Sequence, residues 1–162
     1  NQKHVVTAWD VLAGRTLVGP KVVVVGGGKV GCEVADFIAH PVDDLTPKSN
    51  RVKIVEMLDN IALDEKSMAR SLLIQRLKGK GVEIIVNAKV TEVLADGVKY
   101  VKGGREESLA GVDHVVVAMG AKSENALCER GAGFTSFLIG DAKQPRTAME
   151  AIAEGWDIGR KI

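Results

Sequence analysis

A chain of 162 residues, 46% of them hydrophobic, is long enough to enclose a proper core and suits a single globular domain. Its 22 basic residues against 21 acidic ones leave a formal net charge of +1, which carries no electrostatic footprint for nucleic acid or an anionic membrane. No apolar run approaches the roughly 18 residues of a membrane span, and the first residues lack the apolar stretch of a signal peptide, so a cytoplasmic protein is expected. The first residue is Asn1 rather than Met, which suggests a trimmed chain or a piece of something longer.

Taken in order, residues 1–20 hold one helical candidate: Thr7 caps a turn through Trp9, Val11 and Leu12 that Gly14 stops. The segment reads as a lead-in. Val22, Val23, Val24 and Val25 follow, β-branched and uninterrupted, as suits a strand buried on both faces of a parallel sheet. Gly26, Gly27 and Gly28 come next, and Gly26, Gly28 and Gly31 fit the spacing G-x-G-x-x-G. In that pattern the first glycine permits the tight turn and the second admits a pyrophosphate close to the backbone. The third lets helix and strand pack closely. Val30, Val34, Ala35 and Ile38 then recur at helical spacing, so residues 29–39 form an amphipathic helix ending before Pro41. Phosphates would sit on the free N–H groups at its start, including that of Lys29.

Residues 40–50, with two prolines and two adjacent aspartates, read as an irregular loop. Residues 51–56 make a second parallel strand with Glu56 at its end. Met68, Leu72, Leu73 and Leu77 form a helical stripe that Gly79 and Gly81 terminate, and residues 82–86 make a third strand. From 89 to 109 the periodicity falls to two, with Asp96-Gly97 and Gly103-Gly104 as hairpin turns, which predicts an antiparallel meander. Residues 113–120 return to a buried strand, and a helix from about 147 to 160 closes the chain. The predicted fold is therefore α/β, a Rossmann-like parallel sheet in the order 3-2-1-4 with helices, and with the meander on the other face.

Cys32 and Cys128 form neither a C-x-x-C pair nor part of a ligand cluster, so no redox dithiol and no metal site is expected. Cys32 falls in the first helix of the βα unit and reads as a buried structural thiol. His4, His40 and His114 show no ligand spacing and are given no chemistry.

Glu56 lies 25 positions after Gly31, somewhat beyond the roughly 20 usual for the acid that holds a ribose, and the 40–50 loop accounts for the excess. A carboxylate there accepts hydrogen bonds from ribose hydroxyls and repels a 2′-phosphate. Met57 beside it is not basic, so NADH is expected over NADPH. Glu33 on its own residues reads as a helix-dipole acid, and Asp141 as a turn aspartate capping the last helix.

Five segments in order carry a resemblance: Thr7-Ala8-Trp9-Asp10-Val11-Leu12, Gly26-Gly27-Gly28-Lys29-Val30-Gly31-Cys32-Glu33, Val55-Glu56-Met57-Leu58-Asp59, Val117-Ala118-Met119-Gly120 and Ile139-Gly140-Asp141-Ala142. The chain resembles the nucleotide-binding part of the FAD- and NAD(P)-dependent pyridine nucleotide:disulfide oxidoreductases. Within them it is most similar to the C-terminal region of Old yellow enzyme-type NADH:flavin oxidoreductases. That group includes NADH oxidases, 2,4-dienoyl-CoA reductases and trimethylamine dehydrogenase.

The resemblance implies that Gly26, Gly27, Gly28, Lys29, Val30 and Gly31 hold the NAD pyrophosphate, and that Glu56, with Met57 beside it, holds the adenosine ribose. Ala118, Met119 and Gly120 line the nicotinamide half, Glu33 reaches its side of the site, and Gly140 and Asp141 match a FAD fingerprint. The chain has one glycine loop where relatives use two, and lacks the FMN barrel and the iron–sulfur cysteines of the multidomain type. The implied organisation is a lead-in at 1–20, an NAD(H)-binding domain at 21–130 and a remnant of a FAD-binding domain at 131–162. The implied role is to position nicotinamide for hydride transfer to a flavin bound outside the fragment, without a catalytic side chain or turnover of its own. The FAD-binding half of the parent would be its partner. The alternative is an ADP-type nucleotide-binding module with a structural or regulatory role.

Overall fold

A computed structural model of the chain describes residues 2–39, 51–129 and 135–162, and the 40–50 loop expected from the sequence lies outside them. The chain divides into two compact units, Asn1–Gly120 and Ala121–Ile162.

In the first unit β1 (Val5–Thr7) leads into α1 (Ala8–Leu12), then β2 (Lys21–Val25), α2 (Lys29–Ile38), β3 (Arg51–Val55), α3 (Ala69–Gly79) and β4 (Glu83–Ile85). The meander β5 (Ala88–Leu94), β6 (Gly97–Lys102) and β7 (Arg105–Leu109) follows, and β8 (His114–Val117) returns to the main sheet. That sheet is parallel throughout, in the order β1-β8-β2-β3-β4. Its last four members stand as the expected 3-2-1-4, with β1 added beside β8. Thr7 caps α1 as expected, its Oγ1 accepting the Asp10 N–H at 3.1 Å. Val5, Val6 and the cap residue Thr7 itself form a strand too short to show a period.

The valines of β2 are buried on both faces, and each face has its own cover. On one side α1, α2 and α3 bury Val22, Val24, Ile54 and Val116 against Val11, Val34, Ile38 and Leu77. On the other the meander buries Val23, Val25, Val55 and Val115 against Val98 and Tyr100. Burial on this scale, about 25 cal/mol per Å² of apolar surface, explains why a run without alternation folds as a central strand.

Two local expectations shift. In α3 only Leu73 and Leu77 are buried, while Met68 and Leu72 lie 81% and 53% exposed, so the stripe is narrower than its apolar residues suggested. The first hairpin turns at Ala95 and Asp96, and Gly97 opens β6. A Cβ there would stand 1.8 Å from the Leu109 carbonyl oxygen, so this glycine serves close strand approach rather than the turn.

The second unit contains α4 (Ala126–Glu129), α5 (Gly140–Lys143) and α6 (Ala148–Gly159), the last begun by a capping box of Thr147 and Glu150. Glu154 ties it together, accepting from the Gly140 N–H at 2.8 Å, Lys143 Nζ at 2.9 Å and Arg146 Nη2 at 2.7 Å. Among the described residues no helix is long and apolar enough to cross a membrane.

Candidate functional site: the carboxyl edge of the parallel sheet

The register of the sheet sets Val25, Val55 and Val117 side by side, so the residues after them emerge along one edge. Hydrogen bonds carry the alignment one step past the strands. Gly26 N donates to Val55 O at 2.9 Å, Glu56 N to Ile85 O at 2.8 Å and Ala118 N to Val25 O at 2.9 Å. Three predicted site segments therefore meet in a row, although they are far apart in sequence.

Gly26 turns with φ +101°, and a Cβ on it would lie 2.5 Å from Ala118 O. A Cβ on Gly31 would lie 2.0 Å from Gly26 O, so this glycine is what lets α2 stand directly behind the turn. Gly28, the N-cap of α2, differs from both. The nearest atoms to a Cβ there would be those of the Asp64 carboxylate, at 3.4 Å and beyond, so a side chain would meet no clash and the approach to it is open.

The second peptide of the loop is held from three sides. Glu56, 7% exposed, accepts the Gly27 N–H on Oε2 at 2.5 Å and the Leu58 N–H on Oε1 at 2.7 Å. The Gly27 carbonyl accepts Ala62 N–H at 2.7 Å and the Cys32 Sγ–H at 3.3 Å. Burial pushes the Cys32 thiol up to about 12, which leaves it a donor at neutral pH. The structural role expected for Cys32 is thus a specific one.

A cavity of about 370 Å³ opens beside this loop. Of the predicted residues, Gly26, Gly28, Glu56, Met57, Ala118, Met119 and Gly120 line it. Gly27 faces an adjoining cavity of about 120 Å³ with Asp64, and Gly31 is buried behind the turn. Lys29 and Val30 begin α2 outside the main lining, and exposed Glu33 borders a separate depression between α2 and α3, with Lys29 and Glu65. Gly140 and Asp141 belong to the second unit, where Asp141 Oδ1 accepts the Arg146 N–H at 3.2 Å.

Besides Val25, Val55 and Leu58, which stand within segments the sequence singled out, three lining residues escaped the sequence reading. Ala88, Lys89 and Val90 open the meander, and Ala88 N reaches Glu56 O at 2.9 Å. They belong to a strand with no motif. The signal available was topological: the residue following the third strand of such a sheet emerges at the same edge. Lys89 brings the one basic side chain into the lining.

His4 and His114 serve the fold: His4 Nε2 contacts Leu94 O at 2.9 Å, and His114 Nδ1 accepts the Gly19 N–H at 3.0 Å. No cluster of three or more metal-ligating side chains occurs among the described residues.

A parallel sheet with a glycine turn after one strand, a buried acid after the next and a cavity at their carboxyl edge defines an α/β fold of the Rossmann type. The chain belongs to the pyridine nucleotide-disulphide oxidoreductase family, whose model matches residues 3–152. It is 32% identical to an NADH oxidase of Thermoanaerobacter brockii over 160 residues, which span 96% of this chain and 24% of that protein. A metal reductase of Desulforamulus reducens is 30% identical over 177 residues, covering 94% of this chain and 26% of that protein. Among solved structures, a 2-naphthoyl-CoA reductase in complex with 2-naphthoyl-CoA superposes with a TM-score of 0.83 at 26% identity, over 99% of this chain and 24% of that one. The chain thus spans about a quarter of the length of these relatives.

Proposed function

We propose that the chain is the NADH-binding domain of a flavin-dependent oxidoreductase, and that it presents the nicotinamide to a flavin held outside these residues. The observation that carries this reading is the buried Glu56 carboxylate. It stands between the glycine loop and the cavity, with each oxygen receiving one backbone N–H and keeping acceptor capacity for a ribose hydroxyl. The approach over Gly28, at the N-terminus of α2, suits a diphosphate, so the residues present fit the dinucleotide.

In this reading Gly26, Gly27, Gly28, Lys29, Val30 and Gly31 form the diphosphate cradle, and Glu56 and Met57 hold the adenosine ribose. Ala118, Met119 and Gly120 carry the nicotinamide half, and Glu33 approaches from α2. Bound NADH supplies the hydride. The chain supplies orientation and exclusion of water, and no side chain is asked to act as acid, base or nucleophile. The second unit, with Gly140 and Asp141, is read as part of the FAD-binding half. The complete FAD site, and any FMN or iron–sulfur centre, belong to the parent protein, so the isolated chain binds nucleotide without turnover.

A second reading, a structural or regulatory ADP-binding module, is favoured by one observation: Glu33 opens on a depression separate from the main cavity. Calorimetric titration with NADH, NADPH and ADP separates the two. Binding of NADH well above ADP and NADPH supports the first reading, equal affinity for ADP and NADH supports the second, and absence of all binding defeats both.

A further inference from the structure

Residues 60–67 lie across the start of α2 and bring two carboxylates with them. Asp64 Oδ1 accepts the Lys29 N–H at 2.7 Å, serving a helix whose N-cap is a glycine with no side chain to offer. Glu65 takes the Lys29 ammonium at 2.7 Å and the Ser67 N–H at 2.9 Å. The lysine therefore brings no net positive charge to the loop. Asp64 makes no ion pair among the described residues; the positive groups beside it are the Lys29 N–H and, at longer range, the Lys29 ammonium that Glu65 already holds.

This placement is built rather than incidental. Arg70 on α3 donates to Ile61 O from Nη2 at 2.9 Å and to Ala62 O from Nε at 3.0 Å. Ala62, fully buried with φ +50°, in turn donates to Gly27 O at 2.7 Å. Ile61 and Ala62, which lead into Asp64, are thus tied both to α3 and to the glycine loop.

We infer that Asp64 is a specificity-determining residue for the phosphate end of the site, selecting diphosphate diesters over nucleotides that end in a phosphate. The inference rests on the nucleotide reading above. A diester carries one charge on each phosphorus, whereas a terminal phosphate adds a further ionisation near neutral pH. A fixed carboxylate beside the helix N-terminus opposes that added charge while the helix N–H groups still favour the diester.

The test compares ADP-ribose with ADP, which share the adenosine diphosphate and differ in the blocked end. Asp64→Asn keeps an oxygen for the Lys29 N–H and removes the charge. Calorimetry on the wild-type chain and the variant is expected to show the ADP affinity rising about tenfold relative to that of ADP-ribose. Added salt should narrow the wild-type preference toward that of the variant, since exposed charges are screened. A capping residue and nothing more would leave the ratio unchanged in both experiments, which overturns the inference while the nucleotide reading stands. Failure of the wild-type chain to bind either compound overturns that reading, and this inference with it.

Discussion

Glu56 Oε2 accepts the Gly27 N–H at 2.5 Å, so the acid expected to hold a ribose is already part of the wall of the glycine loop. Its loss should be felt twice. A hydrogen bond to a charged group is worth about 1.5–3 kcal/mol, so Glu56→Ala is expected to weaken NADH about tenfold or more by calorimetry. Glu56→Gln separates the two roles. Both oxygens accept backbone N–H groups, and an amide must turn its NH₂ toward one of them. A drop in unfolding free energy of about 1–3 kcal/mol is expected in urea, even without ligand. A Gln variant as stable as wild type would show that these bonds are dispensable.

Gly31 has no room for a methyl group, since its Cβ would stand 2.0 Å from Gly26 O. Gly31→Ala must push α2 away from the turn. Overpacking of this kind costs about 3 kcal/mol, and nucleotide binding should fall with it because the helix start moves relative to Glu56. Urea unfolding and titration of the same sample read both effects.

The two thiols should differ in reactivity. Cys32 is fully buried, and burial holds it protonated until about pH 12, whereas Cys128 is partly exposed. A disulfide reagent at mildly alkaline pH is expected to modify Cys128 alone in the folded chain, and both after unfolding. Rapid modification of Cys32 under native conditions would contradict its placement behind Gly27.

Glu154 predicts an acid limit for the second unit. Hydrogen bonds from Arg146 first, then Lys143 and the Gly140 N–H, hold its carboxyl at about 2, below the ordinary 4.5. A depressed carboxyl contributes stability that is present above its ordinary value and lost as pH falls toward the depressed one. Helical circular dichroism followed from about pH 6 to pH 2 should therefore fall more steeply in this window for wild type than for Glu154→Gln. Parallel curves would count against the Glu154 contacts.

Much of the first unit was legible because each of its signals is local. The valine run, the glycine spacing and Glu56 at a strand end are statements about neighbours in sequence, and the right-handed crossover rule turns them into the strand order found. What was missed is not local. β1 has three residues, too few for a period, and exists because Val5, Val6 and Thr7 pair with Val115, Val116 and Val117. Met68 and Leu72 looked like core, yet α3 turns them to solvent because its neighbour α2 covers only the Leu73 and Leu77 side.

The sequence by itself determined the class of fold and the chemistry of its edge: steric freedom at Gly26 and Gly31, an acid at Glu56, and a thiol without a redox partner. Those properties reside in single residues and survive any arrangement. Only the tertiary structure decided what they touch. It placed Glu56 on Gly27, Asp64 on the start of α2 and Lys89 in the cavity, and put Glu33 in a separate depression. These relations join residues from different strands and helices. Which backbone N–H meets which carboxylate is settled by how the elements pack, and that is not written at any one position.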